Sequence, residues 1–173
     1  MKKYILMAAM AVITLSASAQ KLEKPDIDKI SGDTTYTVKE QMLANPFQVR
    51  GHYLGGNMVK GKRYYMIRFH VKEGLGDYYS VYKGDKAVIK FADGTIINIF
   101  ATFDEHASMT GSGLAEMSES FLYYDLTDDD VKYLTEKKLA VVRIITSKDF
   151  YDFEIKDKHA DVIQKQMLLL AGK

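Results

Sequence analysis

Cysteine is missing from all 173 residues, which excludes disulfides, thiolate zinc sites and cysteine nucleophiles. No residue is left to carry a lipoprotein acyl group. An excess of one charge is missing too, with 24 Lys and Arg against 23 Asp and Glu. Lys2 and Lys3 fall in an expected export signal; 24 minus these 2 leaves 22 basic residues against 23 acidic ones. Nucleic-acid-binding domains ordinarily show a basic patch or a high pI, so no nucleic-acid partner is expected. Beyond the N-terminus no apolar run approaches the roughly 20 residues of a transmembrane helix, and no transmembrane anchor is expected. The sequence also shows no internal repeat and no low-complexity block.

What is present begins with MKKYILMAAMAVITLSASA: two lysines, an apolar run from Tyr4 to Leu15, and small residues from Ala17 to Ala19. This pattern predicts a signal peptide over 1–19, cleaved before Gln20, and therefore an exported protein, periplasmic or secreted. Removing 19 of 173 residues leaves 154, the size of one domain. Residues 20–33 are polar, with Pro25 and Gly32, and read as a flexible linker ahead of a single β-rich domain over 34–173.

From Thr34 the dominant signal is alternation with β-branched and aromatic residues, which argues strands. Phe47, Val49, Gly51 and Tyr53 alternate with Gln48, Arg50 and His52, and Tyr65, Ile67, Phe69 and Val71 with Tyr64, Met66, Arg68 and His70. LGGNMVKGK between them reads as the loop of a hairpin. In KAVIKFADGTIINIFA, Asp93-Gly94 signals a two-residue type I′ turn. That register pairs Phe91 with Ile96 and Ile89 with Asn98 on one face, and Lys90 with Ile97 and Val88 with Ile99 on the other. With both faces largely apolar, this hairpin is expected to be covered on both sides. In LAVVRIITSKDFYDFEI, a four-residue loop from Thr146 to Asp149 gives one clean face of Ala140, Val142, Ile144, Tyr151, Phe153 and Ile155, and sets Arg143 opposite Asp152.

Two helices complete the pattern. Thr127 before Asp128, Asp129 and Asp130 reads as an N-cap with carboxylates at the positive end of the dipole, and Leu126 and Val131 as a hydrophobic staple. Lys137 and Lys138 close this helix, near 128–137. A final helix after Asp157 carries Ala160, Ile163, Met167 and Leu170 along one side, a stripe that has to lie on the sheet. The expected fold class is α+β: a predominantly antiparallel sheet, sandwich-like or strongly curved, with the C-terminal amphipathic helix packed on it.

FDEHASMTGSG concentrates Asp104, Glu105, His106, Ser108, Thr110 and Ser112 within one short stretch. Its Ser112, in T-G-S-G, lacks the G-x-S-x-G elbow of a strand-to-helix nucleophile, and the following LAEMSES reads as a weakly helical segment. A Gly, Ser and Thr cluster between strands reads first as a loop. His106 as base and Ser112 as nucleophile remain the catalytic candidates of a hydrolase alternative. For metal, His52 is expected opposite about Tyr64, roughly 20 Å along the strand from His70, so the two cannot share an ion. Asp104, Glu105 and His106 lack zinc spacing. Asp125 with Asp128, Asp129 and Asp130 lacks the EF-hand pattern. No metal site and no cofactor are expected.

The 12 tyrosines include three adjacent pairs. On a strand, one ring of each pair faces inward and the other outward. Tyr64, Tyr78 and Tyr124 are assigned outward as ligand-binding candidates, alongside Arg143, which either forms a sheet ion pair with Asp152 or contacts an anion.

The A-S-A signal end followed by Gln20, then KFADGTIINI, YYDLTDDDVKYLTEKKLAVVRIIT and a closing amphipathic helix, resembles a group of small uncharacterised exported proteins common in Bacteroidota. The resemblance spans roughly Lys86 to Leu170 and implies a periplasmic or secreted location; it transfers no functional residue. The function expected is a non-enzymatic extracytoplasmic binding or interaction module whose partner is a protein, a glycan or a small molecule. The alternatives are the hydrolase at 103–113 and a curved sheet carrying an apolar ligand.

Overall fold

The computed structural model describes residues 20–44, 52–74, 78–111 and 116–173. The expected signal peptide, the 47–51 part of the first expected strand and Ser112 lie outside them. Thirteen strands and two helices follow in order: β1 (Asp26–Ile27), β2 (Thr34–Thr37), β3 (Gln41–Ala44), β4 (His52–Lys60), β5 (Tyr65–Gly74), β6 (Ser80–Val81), β7 (Lys86–Phe91), β8 (Ile96–Ala101), β9 (Glu105–His106), β10 (Ser108–Thr110), β11 (Met117–Leu126), α1 (Asp128–Glu136), β12 (Leu139–Ile145), β13 (Phe150–Glu154) and α2 (Val162–Ala171). The domain is α+β with a dominant antiparallel sheet, ordered β1-β2-β4-β5-β11-β8-β7-β12-β13.

Two strands have an edge shared by two partners. The outer edge of β4 pairs with β2 through Val59 and Lys60 and with β3 through Leu54 to Gly56. The edge of β11 opposite β5 pairs with β8 only at Tyr124 and Asp125, and with β10 at Met117 to Glu119. So narrow a link at β8 lets the sheet curl. His52 on β4 consequently meets Tyr151 on β13, with ring centroids 5.1 Å apart, although the two strands are far apart in the sheet order. One hydrophobic cluster fills the concave side, with Leu54, Met58, Ile67, Phe69, Ile89, Phe91, Val142 and Ile144 all buried.

The Asp93-Gly94 turn differs from the expected one. Gly94 N–H donates to the Phe91 carbonyl and Phe91 N–H to the Thr95 carbonyl, each at 2.9 Å. This is a three-residue loop with Gly94 at positive φ, 88°. The register moves by one residue, pairing Ile89 with Ile97 and Val88 with Asn98. Ala87, Ile89, Phe91, Ile97, Ile99 and Ala101 thereby share the buried face, while Ile96 and Phe100 stay more than half exposed. The expectation of cover on both sides was wrong, because a single-residue slip re-sorts every side chain of a hairpin. The β12–β13 hairpin has the expected register, Arg143 opposite Asp152 and Val142 opposite Phe153.

Other local expectations are corrected as well. LGGNMVK belongs to strand β4 rather than to a loop, and Met117 to Ser120 of the LAEMSES stretch belong to β11 rather than to a helix. Residues 20–33 are not a free linker, since Leu22 bridges Val38 and β1 pairs with β2.

Both helices follow local sequence. Asp130 N–H donates to Thr127 Oγ1 at 3.2 Å and Thr127 N–H to Asp130 Oδ2 at 3.0 Å, a reciprocal capping box. Helix α2 buries Ile163, Met167 and Leu170, and Ala160 ahead of it is buried too. It comes so close to β4 that a Cβ on Gly56 would lie 3.2 Å from Ile163 Cδ1, while Leu43 Cδ1 of β3 would lie 2.6 Å from it. Lys60 Nζ donates to the Leu170 carbonyl at 3.2 Å and the Lys173 carbonyl at 2.8 Å, a cation at the negative end of the helix. Among the described residues no helix is long and apolar enough to cross a membrane.

Candidate functional site

Strand alternation puts His52 and Leu54 of β4 on the concave face, with Val71 and Glu73 of β5 and Ser118, Ser120, Leu122 and Tyr124 of β11. Register then lines up three of them in one row across neighbouring strands: His52 opposite Glu73, and Glu73 opposite Ser118. Glu73 is only 8% exposed and Ser118 is fully buried. Glu73 Oε2, Ser118 Oγ and His52 Nδ1 are buried with no hydrogen-bond partner. His52 Nδ1 stands 3.7 Å from Glu73 Oε1, close enough for charge attraction but too far for a hydrogen bond.

Aromatic rings close over this row from the far side of the curl. Tyr151 lies 5.1 Å from His52 and 5.7 Å from Tyr79, and Phe153 lies 6.3 Å from His52. The Tyr79 hydroxyl is 2.5 Å from Ser120 Oγ. Burial pushes the Tyr79 phenol up to about 12 against the lowering effect of the Ser120 bond, and the negative charge of Glu73 adds to the rise. Deeper in, the Tyr124 hydroxyl is also buried without a partner. Its pKa is raised, first by burial and then by Tyr79 and Asp85. Polar atoms in a protein interior are ordinarily paired. On the concave face His52 Nδ1, Glu73 Oε2, Ser118 Oγ and the Tyr124 hydroxyl depart from that rule together.

A second polar cluster covers the convex face of the same strands. His70 Nδ1 is 2.8 Å from Glu40 Oε1 and Nε2 is 2.6 Å from Glu119 Oε1. Tyr53 donates to Glu40 Oε1 at 3.0 Å, and Lys72 Nζ sits 3.0 Å from Glu119 Oε1. Burial would raise Glu119, but hydrogen bonds from Lys72 and His70 outweigh it and hold the carboxyl below its ordinary value. Burial, then the Glu40 charge and hydrogen bond, push Tyr53 up to about 12. Phe121 stacks on the His70 ring at 4.2 Å. These groups satisfy one another across β4, β5 and β11, so the cluster braces the sheet.

The other sequence-derived candidates separate. Tyr64 and Tyr78 are exposed as expected, and Tyr64 lines a shallow polar cleft of about 530 Å³ with Asp28, Asp33, Lys62 and Arg63. Tyr124 is fully buried, which corrects its outward assignment; Asp125 marks the outward parity of β11, and Leu122 and Tyr124 take the inward one. Arg143 donates from Nε and Nη2 to the two carboxylate oxygens of Asp152, each at 2.6 Å, and lies 4.2 Å over the Phe150 ring. His106 Nδ1 is 2.8 Å from Ser80 Oγ across the β6–β9 pair. Stretch 103–113 thus contributes strands β9 and β10, not only a loop, while its candidate nucleophile Ser112 lies outside the described residues.

His52 was expected opposite about Tyr64 on the polar side; it is instead opposite Glu73 on the concave face, and His70 is on the convex one. Sequence reasoning missed Glu73 and Ser118 altogether. The available signal was parity, since Glu73 continues the Ile67, Phe69, Val71 series and so breaks an apolar face with a charge. No protein-family model, curated protein or solved structure matches this chain.

Proposed function

We propose that this is a non-enzymatic, exported binding module that holds a small molecule against the concave face of its curled sheet. The observation that carries this reading is the row of His52, Glu73 and Ser118, whose buried Nδ1, Oε2 and Oγ have no hydrogen-bond partner among the described residues. Leaving such a group unpaired costs about 1–3 kcal/mol, and more where it is charged, so retaining several is reasonable only where something else supplies the bonds. Tyr79, Tyr151 and Phe153 offer the apolar surface, and the row offers the few orienting polar atoms that small-molecule sites combine. The presence of charged and hydroxyl groups argues against a purely apolar cargo.

Native mass spectrometry of the gently purified full chain is the test, with a bound small molecule as the expected result. Ser118→Val should abolish that adduct while leaving the far-ultraviolet circular dichroism unchanged. A clean unliganded spectrum, together with no melting-temperature shift across a library of small polar compounds, would overturn the reading. Labelling by a serine-reactive probe that Ser112→Ala abolishes would establish hydrolase chemistry in its place.

A further inference from the structure

We infer that the occupant of the concave site is a small organic cation, an amine or alkylated ammonium on a compact apolar body. This rests on the binding reading above and adds the charge of the ligand. Glu73 is the reason. Glu73 is 8% exposed as a residue, and its Oε2 is buried with no hydrogen-bond partner. An ionised carboxylate out of water is costly unless it is paired and hydrogen-bonded. The neighbours that face it from the adjoining strands are His52, 3.7 Å away through Nδ1, and Ser118, and neither hydrogen-bonds Oε2. The lysines and arginines of β5 and β4 nearest in sequence, Lys72, Arg68 and Lys60, are engaged elsewhere: Lys72 with Glu119, Arg68 with Asn57, and Lys60 with the end of α2.

An ammonium group answers each open valence. It brings a positive charge to Glu73 and up to three N–H donors, which suit Oε2 and Ser118 Oγ. The rings of Tyr79 and Tyr151 stand 5.7 Å apart beside this row, and aromatic faces attract cations within about 6 Å of their centroids. An anionic ligand would meet the carboxylate with like charge. A neutral polyol can donate an O–H to Oε2 but brings no positive charge to the carboxylate. A bound metal ion fits poorly: among the described residues no three His, Cys, Asp or Glu side chains stand close enough to share one, and structural zinc or calcium takes at least four ligands.

The test uses three probes of one shape and different head charge on the full chain: benzylammonium, benzyl alcohol and benzoate, followed by titration calorimetry and melting temperature. The expected result is measurable binding and a raised melting temperature for benzylammonium, with affinity for the other two lower by at least about tenfold, as removal of a buried charge pair requires. Glu73→Gln, close to isosteric, should remove the preference for the cation. Because the ligand series is read on the unaltered protein, a poorly folded variant would leave the main comparison intact. Equal or tighter binding of the alcohol or the benzoate, or binding of none of the three, overturns the cation inference. If a neutral or anionic molecule then appears in the native mass spectrum, the binding reading stands without it; if none appears, both fall.

Discussion

Gln166 of α2 and Met58 of β4, 108 residues apart in the chain, are joined by a hydrogen bond in which Met58 N–H donates to Gln166 Oε1 at 2.9 Å. The same side-chain amide donates to the Gly56 carbonyl at 3.2 Å and, at longer range, to the Lys39 carbonyl at 3.4 Å. These β4 groups lie where β2 has ended and β3 has begun. A helix side chain therefore completes the sheet ladder at the break between β2 and β3.

Replacing that amide should be costly. Gln166→Leu keeps a side chain of similar size but removes the acceptor of the Met58 N–H, a buried group whose loss of a partner costs about 1–3 kcal/mol. Urea unfolding should show the loss as a lower midpoint with an unchanged slope. A parent-like midpoint would mean that the gap does not need the amide.

The docking of α2 makes a harsher prediction. Ile163 and Met167 are both essentially buried, each worth about 1.5–3 kcal/mol on full burial. Replacing both with Asp removes that and adds buried charge, against a total stability of about 5–15 kcal/mol. The double variant should be largely unfolded by circular dichroism at 25 °C. A cooperative melt close to that of the parent would show that the helix does not support the sheet.

Two tyrosines on the concave face should respond in opposite directions. The Tyr79 hydroxyl is bonded to Ser120 whereas the Tyr124 hydroxyl is buried alone. Tyr79→Phe should destabilise the protein by about 0.5–1.5 kcal/mol, and Tyr124→Phe should leave it unchanged or more stable, because no protein partner is lost. Thermal melts of the two variants side by side decide this, and a large loss for Tyr124→Phe would reveal a bond to that hydroxyl.

Acid should weaken the β12–β13 hairpin through Asp152. The Arg143 hydrogen bonds hold the Asp152 carboxyl below its ordinary value, burial opposes them, and the Arg143 charge adds to the lowering. With the folded value below the unfolded value of about 3.9, the pair contributes fully above that unfolded value. Its contribution is lost as pH falls through the folded one. The pair is well exposed, so a double-mutant cycle on Arg143→Ala and Asp152→Ala should give no more than about 1 kcal/mol at pH 7. The coupling should shrink as pH falls through the folded value; a coupling that stays constant while the carboxylate protonates would contradict the assignment.

Where a structural cue was local, it could be read in advance. The α1 cap is set by Thr127 and Asp130, three residues apart. The β12–β13 register follows from a hairpin with one wholly apolar face, which leaves a single good pairing. The α2 stripe needs only helical periodicity. Errors occurred where several local solutions were similar in energy. The Asp93-Gly94 hairpin is apolar on both strands, so parity did not choose between a two-residue and a three-residue loop. Tyr123-Tyr124 offered two aromatic rings for one inward position. LGGNMVK looked like a loop because of its glycines, yet Gly56 is there to admit the side chains of Leu43 and Ile163.

The amino-acid sequence by itself determined the class of the fold, both helices and the Arg143–Asp152 pair, because capping, periodicity and hairpin parity act over a few residues and require no distant partner. The concave site was decided only by tertiary structure. His52, Glu73 and Ser118 are remote in sequence and become a row through the registers of β4, β5 and β11; Tyr79 and Tyr151 reach them because the narrow β8–β11 link lets the sheet curl. In the sequence, Glu73 is one carboxylate among 23 acidic residues; burial on the concave face, with an oxygen left unpaired, is what sets it apart.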